Sequence, residues 1–146
     1  MAASGKGVGR EERVKQVLEE NKSAHDFKNY VPIGDAVQTL ETWVQRGYEI
    51  FYLTSRRSLE EIENIQNVLL NYRFPSGVLL YRKKDEGYKD VAERLIPDIL
   101  IEDDCESIGG EAEMTYPNIR LDIRARIKHY PVKEFGGIDH LIDVLN

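Results

Sequence analysis

Hydrophobic positions along the chain change period several times, and each change marks an element. Val14, Val17 and Leu18 recur at helical spacing among Glu and Lys, which predicts a short, exposed amphipathic helix over 10–21. Ahead of it, residues 1–9 are rich in Gly, Ala and Ser and read as a flexible lead-in. Pro32 and Gly34 mark a loop that ends at Asp35, an expected N-cap. From there Ala36, Val37, Leu40, Trp43 and Val44 form one apolar stripe, closed by Gly47. The period then shortens, and Tyr48 to Leu53 (YEIFYL) reads as a strand covered on both faces. Ser58 with Glu61 forms a capping box for the next helix, with Leu59, Ile62, Ile65 and Leu69 expected on its buried side and an end near Tyr72. Val78 to Tyr81 is a second strand, Glu86 to Leu95 a third helix stopped by Pro97, and Asp98 to Glu102 a third strand. Ile127 to Val132 is expected as a last strand and Gly137 to Leu145 as a closing helix.

Strands alternating with helices predict an α/β fold with parallel strands, in which ligands lie beyond the carboxyl ends of the strands. The 146 residues suffice for one domain with its own core, expected over 10–146. Composition narrows the function classes. Twenty basic residues against 26 acidic ones give a net charge of −6, which argues against a broad basic face for nucleic acid. The lone Cys105 leaves no internal disulfide and no Cys pair for zinc, so a reducing cytoplasm is the expected compartment. No apolar run reaches the roughly 20 residues of a membrane span, and MAASGKGVGREE lacks the apolar core of a secretory signal.

Chemistry should therefore collect at the strand ends. The first end reads Leu53-Thr54-Ser55-Arg56-Arg57: two hydroxyls and two guanidiniums at the opening of a helix, which suits an anion. The bland alternative is that the hydroxyls cap the helix and the arginines are solvated. The third strand ends in Glu102-Asp103-Asp104, three carboxylates that repel one another unless a hard cation such as Mg²⁺ joins them. An acidic helix start would explain them equally well. Lys89 lies fourteen residues before Asp103 near a helix start, with Lys83 and Lys84 in the preceding loop, and a point charge there could neutralise phosphate and carboxylates together. His25, His129 and His140 show no metal-ligand spacing and read as surface or partly packed.

The order of RGY, then YLTSR, then GYKDVAERLIPDILIEDD resembles the haloacid dehalogenase (HAD) superfamily of Mg²⁺-dependent phosphohydrolases over roughly residues 34–110. The resemblance implies a three-layer, Rossmann-like parallel sheet. It places Thr54 as the phosphoryl-binding residue of the second motif, Lys89 as the third-motif lysine, and Asp103 and Asp104 as the fourth-motif acids that hold Mg²⁺. Arg56 would contact substrate beside Thr54 and Ser55. With 33 residues between Ser55 and Lys89, no large cap domain fits, so the site should be open to a phosphorylated small molecule or macromolecule, or take a lid from a neighbouring subunit. One departure is serious. The family's nucleophile sits in an Asp-x-Asp at the end of a first strand, and residues 1–33 hold no such strand. Two accounts follow. In the favoured one the chain is truncated and inactive, with the missing strand roughly 15–20 residues upstream. In the other it is a natural non-catalytic relative that binds a phosphorylated ligand or a protein partner.

Overall fold

The computed structural model describes residues 29–55 and 58–145. The expected lead-in, the 10–21 helix, His25 and the pair Arg56–Arg57 lie outside them. The order of elements is α1 (Ala36–Gln45), β1 (Phe51–Thr54), α2 (Leu59–Asn71), β2 (Val78–Tyr81), α3 (Tyr88–Leu95), β3 (Ile99–Asp103), α4 (Leu121–Arg124) and β4 (Lys128–Val132). The class is α/β, as the alternation predicts. Its strands form two parallel pairs: β1 with β2, Thr54 opposite Tyr81, and β3 with β4, Asp103 opposite Val132. Among the described residues no helix is long and apolar enough to cross a membrane.

Alternation along β3 decides what covers each face of the second pair. Ile99 and Ile101, with Tyr130 and Val132 of β4, pack against Trp43 and Leu40 of α1 and against Leu141 and Leu145 of the C-terminal segment. Leu100 points the other way, to a cluster of Ala92 from α3 with Ile119, Ile127, Tyr116 and Ile123. This pair is therefore apolar-packed on both faces. The first pair is barer: Phe51 is 38%, Val78 54% and Tyr81 38% exposed. Gly77, just before β2, lies so close to the Ile50 carbonyl that a Cβ there would collide with backbone.

Four local expectations are revised. In α1 the buried positions are Thr39 and Trp43, while Val44 is exposed; the stripe follows i, i+4 rather than running on to i+8. Ser58 does cap α2, its Oγ accepting from the Glu61 amide at 3.1 Å, but Leu59 lies outside the buried stripe Ile62–Ile65–Val68. The closing helix is only a single tight turn at Asp139–Leu141. Fastening to α1 replaces helical hydrogen bonding there. Trp43 Nε1 donates to the Ile142 carbonyl at 3.2 Å, and Arg46 Nη1 donates to the carbonyls of Ile142 (2.6 Å) and Leu145 (2.7 Å). Asp35 starts α1 without a side-chain cap; instead Asp139, from the far end of the chain, accepts from the Asp35 amide at 3.0 Å.

Candidate functional site

Asp103 is the last residue of β3, and Asp104 follows it into a tight loop. The Asp104 amide donates to the Val132 carbonyl at 2.8 Å, which extends the β3–β4 ladder by one bond past the strand end. The chain then turns sharply. Cys105 sits in the left-handed region with φ of 50°, and its amide donates to Asp103 Oδ1 at 2.9 Å, while Asp104 Oδ1 accepts from the Glu106 amide at 3.2 Å. The turn presents both carboxylates at the carboxyl end of β3.

A third acid joins them from β4. Glu134 lies two residues beyond Val132 and is 6% exposed, with Oε1 accepting from both the amide and the hydroxyl of Ser107 at 3.0 Å. Asp103, Asp104 and Glu134 each offer one oxygen, and the three oxygens lie within 4.8 Å of one another. An all-oxygen, triply anionic donor set suits a hard divalent cation. Sequence reading found the first two acids and missed Glu134. Its signal was available in principle: a strand parallel to β3 must end beside Asp103, so an acid just past residue 132 belongs to the same end of the sheet.

Glu102 does not belong there. One residue before Asp103 on a strand, it faces the opposite side, where Oε2 accepts from the Thr115 amide at 2.7 Å and Oε1 from the Tyr116 amide at 2.9 Å. His129 Nε2 lies 3.0 Å from Glu102 Oε1, and its ring stacks on Tyr116 with centroids 4.2 Å apart. The run of three carboxylates thus divides into two that face the carboxyl-end loop and one that organises the packing of the 115–129 segment. His129 is partly packed, as its isolation in the sequence suggested.

Local electrostatics agree with a concentration of negative charge. Burial first, then the hydrogen bond to Asp103 and the charges of Asp103, Glu102 and Glu134, push the Cys105 thiol up to about 12. In this setting Cys105 holds its proton more tightly than an ordinary thiol.

The residues expected to bind an anion stand on other elements. Thr54 ends β1 and Ser55 follows it, both half-buried. Lys89 is the second residue of α3 and exposed; α3 begins after Gly87, whose amide donates to Asp90 Oδ2 at 2.7 Å. The carboxylates gather around β3 and β4, while Thr54 and Ser55 belong to the β1–β2 pair; Arg56 falls outside the described residues. No protein-family profile, no curated protein and no solved structure matches the chain.

Proposed function

We propose that this chain carries the phosphate- and metal-binding half of an HAD-type, Mg²⁺-dependent phosphohydrolase site. The observation that supports this best is the placement of Asp103, Asp104 and Glu134 around the carboxyl ends of two parallel strands, where an open α/β sheet binds ligands. In this reading the three acids hold Mg²⁺, which would neutralise charge on a phosphoryl group, and Thr54, Ser55 and Lys89 bind the group itself, with Arg56 as a further substrate contact. The ligand is a phosphorylated small molecule or macromolecule.

The reading also carries a sheet arrangement. β1 and β3 each have one neighbouring strand among the described residues, and both deliver candidate residues at their carboxyl ends. One further parallel strand between them would join the pairs into a three-layer Rossmann-like sheet. In the HAD pattern that strand bears the nucleophilic Asp-x-Asp. No two of the aspartates in these 146 residues stand two positions apart, so the residues in hand bind and orient phosphate without supplying the covalent step. The second reading, a non-catalytic binder of a phosphorylated ligand, shares every one of these contacts.

Thermal melting of the chain with Mg²⁺ and inorganic phosphate tests the site. Saturation at about 100 times the dissociation constant is expected to add about 2.7 kcal/mol. Asp103→Asn combined with Glu134→Gln should abolish the Mg²⁺ response while raising the metal-free melting temperature, because like charges are relieved. A double variant that responds like the unaltered chain overturns the metal assignment.

A further inference from the structure

Helix α2 turns Ile62, Ile65 and Val68 toward the protein, and its opposite side carries two leucines in the open. Leu59 is 82% and Leu70 73% exposed. At 3.6 residues per turn these positions differ by three turns and only about 20° around the axis, so they lie on one line about 16 Å long. Glu63 and Gln66 stand between them on that line, both exposed. Single exposed leucines are ordinary, but two at opposite ends of one helix face form a seam. Charge is unequally placed along the same helix. Glu60 and Glu61 stand in its first turn and Glu63 in the next, no basic residue stands in its last turn, and the exposed Arg73 follows its end. Its amino half is therefore acidic and its carboxyl end neutral to basic.

We propose that the outer side of α2 is a self-association surface, on which two copies of this chain pair antiparallel along the Leu59–Gln66–Leu70 line about a twofold axis. In that arrangement Leu59 of each copy packs on Leu70 of the other, and Glu63 meets Gln66. Arg73 then falls about 6 Å along the axis from Glu60 of the other copy, within reach of two long side chains. Parallel pairing would instead set the three glutamates against their own counterparts, which like charge opposes. The contact is self-complementary and closes at two copies. One 13-residue helix per copy offers less than the roughly 800 Å² of a standard interface, so the dimer is weak and reversible. This inference stands apart from the phosphate- and metal-binding reading.

The test is sedimentation equilibrium of the 146-residue chain from about 1 to 300 µM. The expected result is monomer at the low end and dimer at the high end, with no larger species. Leu70→Lys should weaken the dimer at least tenfold while the melting temperature of the dilute chain stays close to that of the unaltered protein, because the replaced side chain is exposed. Arg73→Glu should also weaken it, and adding Glu60→Arg to that variant should restore it. Rescue by the exchanged charges is specific to the antiparallel arrangement. A chain that stays monomeric throughout, a dimer indifferent to Leu70→Lys, or a charge exchange that restores nothing overturns the proposal. Should a variant lose the fold, amide signals of the unaltered chain decide on dilution: shifts centred on Leu59, Glu63, Gln66 and Leu70 support the pairing, and shifts confined to other elements overturn it.

Discussion

The two strand pairs share class, direction and length to within a residue, yet they are finished to different degrees. β3 and β4 are clothed on both faces, by α1 with the C-terminal segment on one side and by α3 with residues 116–127 on the other. Their carboxyl ends are laced by Asp104, Ser107 and Glu134. β1 is tied to the loop that follows α2, with the Tyr52 hydroxyl donating to the Pro75 carbonyl at 2.7 Å and Tyr52 meeting Phe74 edge-on. They leave Phe51, Val78 and Tyr81 substantially open. The contrast extends to chemistry. The acids of the first region have their oxygens organised by backbone donors, whereas in the second the buried Nε of Arg82 has no acceptor.

The largest test of this difference is a pair of core truncations. Trp43 is 1% exposed and ties α1 to β3–β4 and to the C-terminal segment, so Trp43→Ala should cost about 3–5 kcal/mol and lower the whole urea transition. Ile65→Ala in α2 should fall near the lower end of about 2–5 kcal/mol. Native-state hydrogen exchange should then show α2 and β1–β2 amides opening below the global free energy, with β3 and β4 exchanging only through global unfolding. Equal protection of the two pairs would erase the distinction.

Much of this architecture is legible in the sequence, for reasons that can be named. Strand positions β2 and β4 follow from short apolar runs between turn formers, and Ser58 with Glu61 marks the start of α2 because a cap is a local interaction. What escapes is nonlocal. Asp139 caps α1 across 104 positions, and no short-range pattern shows that a residue in the C-terminal turn serves a helix near residue 35. Glu134 escapes for the same reason, since its kinship with Asp103 exists only once β3 and β4 lie side by side. Glu102 misleads because adjacency in sequence was taken for adjacency in space, which a strand forbids. Leu59 and Val44 fail because apolar type alone does not decide burial at the margin of a stripe.

Alkaline titration probes one group in each half. Burial pushes the Tyr52 hydroxyl from 10.0 up to about 12, and the Cys105 thiol rises from 9.0 to about 12 by burial and neighbouring carboxylates. Both acids hold their protons more tightly folded than unfolded. Their contribution to stability is therefore complete below about pH 9 and is lost as pH rises through 10 toward 12. Difference spectra of the unaltered chain and Tyr52→Phe should place Tyr52 late in the tyrosine titration, and thiol labelling at pH 8 should be roughly a hundredfold or more slower than for a free cysteine. Late Cys105 with an ordinary Tyr52 would mean that the β1–β2 half opens first in alkali.

Asp139→Ala removes the remote cap of α1, with an expected cost of about 1 kcal/mol by chemical denaturation. Gly34→Ala should exceed it. Gly34 has φ of 56°, and a Cβ there would collide with the Asp139 carboxylate, so strain adds to the lost cap. Both changes act on the clothed half through its fastening rather than through its core.

The smallest expected effect is the sharpest for the bare half. Val78 opens β2 opposite Phe51 and is 54% exposed. Val78→Thr keeps the β-branched shape and the strand preference, and it exchanges one methyl for a hydroxyl that water can reach. Stability should stay within about 0.5 kcal/mol of the unaltered chain, as for surface changes generally. A loss above about 1 kcal/mol would mean that Val78 is sheltered in solution, because a hydroxyl is penalised on that scale only where water is kept out. The β1–β2 face would then be covered, and the difference between the halves would reduce to the unpartnered Nε of Arg82.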